Sequence, residues 1–243
     1  MSLNILQWNI RNFSSNKTSL NLLVESTSPH IICLQETWSR PSDVPKLAGY
    51  NLVTRKDRMI GRGGGVSIFA SSAIPIVPLN LDSPLEVCGA KVLTPSQPFS
   101  IISLYIPPSP IDDLESKIND LINCVPSPLI ICTDGNGHHH QWGSPQDNPR
   151  GSLLKNCITS NNLEILNSGE PTFETPHGTF THLDLSITSP SLAPSLDWNV
   201  YQNNLQSDHF PIIINFPSLQ ITLSQNIPKF KIKKLTGLNS KSP

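Results

Sequence analysis

The stretch Leu129-Ile130-Ile131-Cys132-Thr133-Asp134-Gly135-Asn136 joins four consecutive apolar residues directly to a polar turn. Four apolar residues in a row are typical of a short strand buried on both faces, as in the inner layers of an α/β protein. Ile31-Ile32-Cys33-Leu34 repeats the pattern, and this run ends at Gln35-Glu36. Both strands are therefore predicted to present acidic side chains where they end.

Further strands are predicted on both sides of these two. Apolar or alternating segments occur at residues 3–9, 66–70, 85–93, 99–105, 183–187 and 211–216. Long polar loops and 23 prolines separate the segments, so a regular βαβ array is not indicated. The pattern predicts an α/β fold with four layers, a sandwich in which two packed mixed sheets are flanked by helices.

Three helices are predicted between the strands. Asn16 is placed as the N-cap of the first helix, whose apolar residues share one face before Ser28-Pro29 ends it. Ser109-Pro110 is placed as the N-cap and first residue of the second helix, which carries an apolar stripe through residues 111–121. Residues 153–158 indicate a short third helix.

Length and composition favour one soluble domain. The chain has 243 residues, 37% of them hydrophobic, and residues 1–217 are predicted to form a single sandwich. Residues 218–243 lose hydrophobic periodicity and are rich in lysine at 229–234, which predicts a poorly ordered basic linker or tail. Since no apolar run approaches the roughly 18 residues that span a bilayer, no membrane partner is expected.

Charge and cysteine content narrow the class of protein. The formal net charge of −1 argues against nucleic-acid binding through overall charge, so any DNA contact has to be local. Arg55, Lys56, Arg58 and Arg62 precede the turn Gly63-Gly64-Gly65 and form either such a basic patch or an ordinary solvated loop. The five cysteines include no C-x-x-C pair, which indicates reduced thiols of an intracellular protein.

Polar side chains recur in or at the ends of the predicted strands, namely Asn9, Glu36, Tyr105, Asp134, Asn136, Asp184, Asp208 and His209. Each alone has an ordinary interpretation, such as a strand cap or a solvated loop residue. Because burial of unpaired polar groups is costly, their repetition indicates that they converge in one cleft. His138-His139-His140 is a weaker metal candidate, since three consecutive histidines cannot all face one ion on a regular backbone.

These residues lie in an ordered series of motifs that resembles the exonuclease–endonuclease–phosphatase superfamily. The motifs are Gln7-Trp8-Asn9, Gln35-Glu36-Thr37, Tyr105-Ile106-Pro107-Pro108, Thr133-Asp134-Gly135-Asn136, His182-Leu183-Asp184-Leu185 and Ser207-Asp208-His209. Trp142-Gly143-Ser144, Asn148-Pro149-Arg150-Gly151 and Pro171-Thr172-Phe173 are similar to the endonuclease domain of LINE-type (non-LTR) retrotransposons of the jockey and I-type clades. The resemblance implies a DNase I-like fold.

The resemblance also assigns roles. The implied metal ligands are Glu36, Asn9 and Asp208, and their oxygen atoms suit Mg²⁺ or Mn²⁺. The implied catalytic residues are Asp134, Asn136, His209, Asp184, Tyr105 and Asn9. The implied substrate contacts are Thr172, Thr181, Arg58 and Arg62. In this scheme Asp134 activates the attacking water, and His209 stabilises charge on the phosphate while Asp184 orients its ring.

The activity implied is Mg²⁺-dependent nicking of duplex DNA by phosphodiester hydrolysis, which leaves a 3′-hydroxyl for target-primed reverse transcription. The implied partners are double-stranded DNA and a reverse transcriptase domain or element RNA of the full-length element, and the implied site of action is the nucleus. The same motifs leave open an abasic-site repair nuclease, an RNA deadenylase, and a sphingomyelin or inositol-phosphate hydrolase. An inactive nucleic-acid-binding module is the alternative outside enzymes.

Two positions depart from the pattern of many relatives. Gly135 follows Asp134 where Gly-Asp-Phe-Asn is frequent, so the packing of that loop is expected to differ. Arg11 stands where relatives with a second acidic or amide ligand carry it. Arg11 is therefore left out of the implied metal shell.

Overall fold

Two six-stranded mixed sheets pack face to face in the computed structural model, which describes residues 2–217 and residue 219. The first sheet has the order β13 (Asp197–Val200), β14 (Ile212–Phe216), β1 (Leu3–Asn9), β2 (Ile31–Gln35), β4 (Val66–Ser71), β3 (Tyr50–Lys56). The second has the order β5 (Ile76–Leu79), β6 (Glu86–Val92), β7 (Phe99–Tyr105), β8 (Leu129–Asp134), β12 (Asp184–Thr188), β9 (Glu164–Ile165). A ribbon of β10 (Phe173–Glu174) and β11 (Phe180–Thr181) lies apart from both.

Helices form the two outer layers. Helix α1 (Lys17–Thr27) packs on the outer face of the first sheet, whereas α2 (Leu114–Cys124) and α3 (Pro149–Ser160) pack on the second. Two short 3₁₀ turns lie at His140–Trp142 and Ala193–Ser195. The predicted four-layered α/β sandwich is confirmed.

The continuous apolar runs have the predicted cause. Ile31 and Cys33 of β2 point into the core between the sheets, and Ile32 and Leu34 point toward α1. Successive side chains of a strand face opposite sides, so a strand between two apolar layers has to be apolar at every position. The same division holds for β8, where Ile130 faces the other sheet and Ile131 faces α2 and α3.

The second helix begins later than predicted. Ser109-Pro110 does not start it, because α2 begins at Leu114 with Asp113 as its N-cap. The Arg150 guanidinium donates to the carbonyl oxygens of Pro107 (2.9 Å) and Ser109 (2.9 Å), which holds this segment outside the helix. Asn16 is the N-cap residue of α1 as predicted, but its side chain donates to the carbonyl of Ile10 (2.6 Å) and caps no helix N–H.

Two buried glutamines cross the space between the sheets. Gln7 Nε2 donates to the carbonyl oxygens of Thr133 (3.2 Å) and Leu185 (3.2 Å), and its Oε1 accepts from Ser186 Oγ (2.7 Å). Gln35 Nε2 donates to the carbonyl oxygen of Cys132 (3.2 Å). Both side chains have no solvent exposure, so these bonds fix the strand ends of the two sheets relative to each other.

Other expectations from the sequence have mixed outcomes. Cys33, Cys88, Cys132 and Cys157 are buried and free as predicted, whereas Cys124 is free but exposed. The predicted tail, 218–243, lies outside the described residues except for Leu219, which is buried in the core between the sheets. Within the described part of the chain, no helix has both the length and the apolar character needed to cross a membrane.

Candidate active site

The polar strand ends meet at one edge of the sandwich. Tyr105 and Asp134 are neighbours in the parallel pair of β7 and β8, and Asp184 lies opposite Asp134 in the antiparallel pair of β8 and β12. Asn9 ends β1 in the other sheet, beside Gln35 of β2. Each strand therefore delivers a side chain from one of its ends to the same cleft, as the spacing of apolar runs and polar turns predicts.

Asn9 and Asp134 connect the two sheets directly. The amide nitrogen of Asn9 donates to Asp134 Oδ2 at 2.8 Å and to Glu36 Oε1 at 3.2 Å. Asn9 and Asp134 are each 1% exposed, whereas Glu36 is half-buried. A single amide thus joins the two carboxylates of the cleft.

His209 stands on the other side of Asp134. Its Nδ1 donates to Asp184 Oδ2 at 2.8 Å, and its Nε2 lies 3.9 Å from Asp134 Oδ2. Asp184, 1% exposed, thereby fixes the ring and leaves Nε2 directed away from it. The result is a buried carboxylate–imidazole–carboxylate arrangement.

Three neighbours that sequence reasoning did not assign hold His209 from behind. Trp8 Nε1 donates to the carbonyl oxygen of His209 (3.0 Å), and Ser207 Oγ accepts from the His209 N–H (3.2 Å) and donates to the Asn9 carbonyl (2.9 Å). The Phe173 ring meets the imidazole edge-on with 4.7 Å between centroids. Trp8, Ser207 and Phe173 lie inside the quoted motifs, but only the folded chain shows what they contact.

The backbone is strained around the cleft. Arg11 (φ 46°), Glu36 (φ 50°), Trp38 (φ 53°) and Asn136 (φ 48°) all adopt the left-handed conformation that non-glycine residues rarely take. Each follows the end of a strand of the site. Such conformations persist where the surrounding structure holds them, and they concentrate at functional sites.

Burial and charge shift the protonation of the central pair. Burial raises the pKa of Asp134 to about 7, with Asp184 and Glu36 adding to the increase while His209 and the Asn9 hydrogen bond oppose it. Burial lowers the pKa of His209, but Asp184 and Asp134 outweigh it and raise that pKa to about 9. Burial, followed by Glu36 and Asp134, raises the pKa of Tyr105 well above its usual range, so its hydroxyl stays protonated.

The donor set fits a divalent cation. Glu36 and Asp134 both accept a hydrogen bond from the Asn9 amide, and the negative charge of Glu36 contributes to the raised pKa of Asp134. The negative charge of the cleft is therefore incompletely neutralised. One carboxylate oxygen of Asp184, Oδ1, is buried without a hydrogen-bond partner. Oxygen donors of this kind suit hard cations.

Sequence comparison agrees with this geometry. A family model described as "Endonuclease-reverse transcriptase" matches residues 99–213. The probable RNA-directed DNA polymerase from transposon X-element of Drosophila melanogaster is 25% identical over 246 residues, covering 95% of this chain and 27% of that protein. The RNA-directed DNA polymerase from mobile element jockey of Drosophila melanogaster is 27% identical over 220 residues, covering 87% and 23%. The chain thus spans about a quarter of the length of these relatives.

Structural comparison gives the same answer for the fold. The endonuclease domain of TRAS1, a telomere-specific non-LTR retrotransposon, matches with a TM-score of 0.77 at 20% identity, covering 89% of this chain and 99% of that chain. An AP endonuclease from Leishmania major matches with a TM-score of 0.74 at 14% identity, covering 89% and 88%. The predicted resemblance to non-LTR retrotransposon endonucleases is confirmed. The predicted DNase I-like fold is confirmed with it.

In this endonuclease-like chain, the metal ligands implied by the resemblance do not all present free oxygen atoms. Asp208 pairs with the Arg11 guanidinium through Oδ2, so a protein cation neutralises this carboxylate, and its Oδ1 is buried without a hydrogen-bond partner. Asn9 Oδ1 accepts from the Arg11 N–H at 3.1 Å, while its nitrogen faces the carboxylates. This geometry favours a role for Asn9 as a bridge between Glu36 and Asp134 over a role as a metal ligand. Among the described residues, Glu36 is then the implied ligand that has no cationic partner.

The implied substrate contacts are placed differently from one another. Thr172 is fully buried, and its hydroxyl accepts from the N–H groups of Leu183 (3.1 Å) and Asp184 (3.0 Å). Its assignment as a substrate contact is therefore corrected, because it positions Asp184 from inside the protein. Thr181 is half-buried in β11.

Asn136, one of the implied catalytic residues, donates through Nδ2 to the Ile106 carbonyl at 3.0 Å.

Two arginines of the basic cluster before the glycine turn are paired with carboxylates of the same chain. Arg58 donates through Nε (2.8 Å) and Nη2 (2.5 Å) to Glu86 Oε1, and its guanidinium lies 5.6 Å from the centre of the Tyr105 ring. Lys56 donates to the carbonyl of Ser83, and Arg55 pairs with Asp57 at 3.3 Å. Glu86 pairs with the charge of Arg58, and the DNA contact by Arg58 stays a prediction.

The glycine turn instead supports Glu36. Gly65 (φ 82°) donates its N–H to Glu86 Oε2 at 2.6 Å, and its carbonyl accepts from the Thr37 N–H at 3.1 Å. Trp38 Nε1 then donates to Glu36 Oε2 at 2.9 Å, and Arg62 covers the Trp38 ring at 5.3 Å. Trp38 and Glu86 were missed from the sequence because nothing in their spacing marks them.

Proposed function

We propose that this chain is a divalent-metal-dependent DNA endonuclease that nicks duplex DNA by phosphodiester hydrolysis. The observation that carries the proposal is the fixed array of Asn9, Asp134, Asp184 and His209 beside Glu36, with 2.8 Å between Asn9 and Asp134 and between His209 and Asp184. It combines a carboxylate, an imidazole oriented for donation and a cation-compatible oxygen set within one cleft. Phosphoryl transfer needs a positioned nucleophile and stabilisation of developing charge.

Asp134 is the group that we expect to accept a proton from the attacking water. Its raised pKa, about 7, places it near neutrality, where a carboxylate is an effective general base. Its Oδ1 accepts from the Asn136 N–H at 3.2 Å and its Oδ2 from Asn9, which fixes the orientation of the carboxylate. Lone pairs on both oxygens remain for the water.

His209 is expected to donate through Nε2 to a non-bridging phosphate oxygen. Because its pKa is raised to about 9, the imidazole is protonated at neutral pH and carries a proton on Nε2. Asp184 holds the other ring nitrogen at 2.8 Å, so the ring does not have to reorient during the reaction. Tyr105, with its protonated hydroxyl, is a second donor for the phosphate or the leaving oxygen.

Glu36 is the residue we expect to bind the metal ion, which we propose to be Mg²⁺ with Mn²⁺ as a substitute. A bound divalent ion would neutralise charge on the phosphate and the leaving oxygen. The half-exposed position of Glu36 at the cleft leaves room for the water ligands that Mg²⁺ retains. Trp38 and Asn9 each bind one of its carboxylate oxygens and so set its orientation.

The biological role proposed is initiation of target-primed reverse transcription. The relatives named above are RNA-directed DNA polymerases. We therefore propose that nicking supplies a 3′-hydroxyl primer to the polymerase domain of a longer protein, and that element RNA is a further partner. We place this step in the nucleus. Arg62, which is exposed and covers the Trp38 ring, and Thr181, whose hydroxyl is buried without a hydrogen-bond partner, remain proposed substrate contacts.

Nicking of supercoiled plasmid tests the activity. Conversion to open circles is expected with Mg²⁺ or Mn²⁺ and should stop with EDTA. Extension of the nicked product by a DNA polymerase with a labelled nucleotide reports whether the new end is a 3′-hydroxyl. Cleavage that continues unchanged in EDTA would remove the metal from the proposal.

Abasic-site cleavage is the second candidate, because the AP endonuclease from Leishmania major shares the fold. The comparison uses one duplex with and without a single abasic residue. We expect cleavage of the intact duplex at preferred steps, because groove shape and step deformability can direct a nuclease without an extruded sugar. A strong preference for the abasic strand would favour the repair function instead.

A further inference from the structure

Arg11 is held at three points just outside the catalytic cluster. Its N–H donates to Asn9 Oδ1 at 3.1 Å, and its carbonyl accepts from Asn16 Nδ2 at 3.3 Å. Its guanidinium pairs with Asp208. The backbone is thereby kept in the left-handed region, at φ 46°, which an arginine would not adopt by preference. The fold therefore fixes this side chain in place.

The guanidinium nevertheless remains open to solvent. The Arg11 side chain is 54% exposed and that of Asp208 is 23% exposed. An arginine has five N–H donors, so the bond to Asp208 leaves most of them free. An ordinary exposed ion pair stabilises a protein by roughly 0–1 kcal/mol, which gives no reason to retain a strained backbone beneath it.

The location of the pair suggests what the free donors bind. Arg11 lies two residues after Asn9, and Asp208 directly precedes His209, so the ion pair bridges two segments that build the site. Arg55 and Arg58 are each paired with a carboxylate of the chain, and the chain has a formal net charge of −1. A DNA backbone that enters the cleft therefore needs a fixed local cation.

We propose that Arg11 contacts a phosphate of the DNA strand next to the scissile phosphate, and that Asp208 positions its guanidinium instead of binding the metal ion. This inference rests on the proposed nuclease function. The planar guanidinium matches phosphate oxygens in a two-donor geometry that lysine cannot reproduce. Fixing it in advance avoids the entropy cost of ordering a long side chain when DNA binds.

The first experiment measures binding of a duplex oligonucleotide in EDTA over a series of salt concentrations, so that no cleavage occurs. Arg11→Met is expected to lower the slope of log affinity against log salt by about one, since one phosphate contact releases about 0.9 counterion. Arg11→Lys should retain the slope and lose affinity. The control Lys155→Met removes the same charge from the outer helix α3 and should leave the slope unchanged.

Arg11→Gly serves as a second variant, because glycine suits the positive φ and keeps the fold if Met does not. An unchanged slope in both folded variants would show that Arg11 is an ordinary surface cation. If the wild-type chain neither binds nor nicks DNA, the proposed function fails and this inference with it. If the wild-type chain nicks DNA while the Arg11 slope is unchanged, only this inference fails.

The second experiment separates Asp208 from the metal ion. Calorimetric titration with Mn²⁺ is expected to give the same stoichiometry and an affinity within about twofold for Asp208→Asn and wild type, whereas Glu36→Gln should lose roughly tenfold or more. DNA affinity of Asp208→Asn should fall as it does in Arg11→Met. A tenfold loss of Mn²⁺ affinity in Asp208→Asn would make Asp208 a metal ligand and overturn the positioning role.

Discussion

Among the described residues, two groups of histidine and aspartate bring their ligand atoms within 4.8 Å of one another, yet they differ in burial and in hydrogen bonding. The first contains Asp134, Asp184 and His209, all buried at strand ends or directly before a strand. The second contains His139, His140 and Asp147, in the loop between β8 and α3. Proximity alone would rank the two groups equally.

The hydrogen bonds of the histidines distinguish them. His209 donates Nδ1–H to a carboxylate, and its Nε2 remains available. His139 Nδ1 accepts from the Gln141 N–H at 3.2 Å, so its proton is on Nε2, 3.7 Å from Asp147. A histidine in that state has its one nitrogen lone pair engaged by the backbone, so binding a metal ion would require the loss of this hydrogen bond. The His139 ring also stacks on His140, with 4.2 Å between centroids.

The difference between the two groups shows that close approach of ligand atoms does not identify a functional site. In such a site the fold also fixes the protonation and the orientation of the reactive groups. The first group has a buried oxygen without a partner and raised pKa values for Asp134 and His209, whereas in the second group the backbone N–H of His140 donates to Asp147 and lowers the pKa of that carboxylate. The sequence motif His138-His139-His140 is therefore interpreted as a structural loop. Substitutions in both groups test this distinction.

Asp134→Asn should produce the largest loss. Removing the proton acceptor is expected to lower plasmid nicking by about 100-fold or more, and the amide retains one of the two bonds that Asp134 accepts from Asn9 and Asn136. Asp147→Asn is the matched control from the second group and should nick at the wild-type rate. Equal rates for Asp134→Asn and wild type, with unchanged melting curves, would show that the first group is not catalytic.

Asp184→Asn should produce a smaller loss that depends on pH. Burial lowers the pKa of His209, and Asp184 followed by Asp134 raises it to about 9. Without the Asp184 charge that pKa falls, so His209 loses its proton at a lower pH and the alkaline decrease in rate begins earlier. At neutral pH a loss of roughly tenfold is expected, as for a charged hydrogen bond worth about 1.5 kcal/mol. The pH–rate profile checks the direction, and an unmoved alkaline limb would contradict it.

Trp38→Phe tests the support of Glu36 by the glycine turn. The substitution keeps an aromatic ring beneath Arg62 but removes the Nε1–H that lies 2.9 Å from Glu36 Oε2. Residues that orient a metal ligand typically change metal affinity by about tenfold or more when lost, and we expect the lower end here because Asn9 still binds Oε1. Titration with Mn²⁺ measures the change, and Arg62→Ala, which leaves Nε1 in place, should alter it less.

His140→Ala should have the smallest effect. Its side chain is 70% exposed and pairs only with Asp147 among the described residues, so neither Mn²⁺ affinity nor nicking is expected to change. Substitution of an exposed side chain with few contacts usually changes the free energy of unfolding very little. If His140→Ala removed a bound metal ion in the same titration, the second group would be a metal site and the distinction between the groups would fail.

The layers of the fold were predictable because burial on both faces leaves a direct mark on sequence. Four adjacent apolar residues at 31–34 and at 129–132 are explained by strands that are buried on both faces. The polar residues that follow these runs lie in the cleft, as predicted. The start of α2 was not predictable, because Arg150 of helix α3 binds the carbonyl groups of the segment before it. Local capping preferences cannot report such a tertiary contact.

The members of the site were predictable, but several of their roles were not. Sequence spacing brought Asp134, Asp184 and His209 together on the correct edge. It could not show that Asp208 is neutralised by Arg11 or Arg58 by Glu86, because these ion pairs join residues far apart in the chain. Which charges are free and which are already paired is a property of the folded chain alone.

Gln7 and Gln35, which tie the sheets together, also bear on how far this sequence can drift or be redesigned. Their amides reach main-chain carbonyl oxygens at Thr133, Leu185 and Cys132, and a carbonyl persists whatever side chain stands at its position. Leu185 and Cys132 can therefore be exchanged for apolar residues of similar volume without loss of these bonds, whereas replacement of either glutamine removes a donor from buried carbonyl groups. A library that keeps both glutamines together with Ser103 and Ser186, and varies their apolar neighbours, should retain folded members.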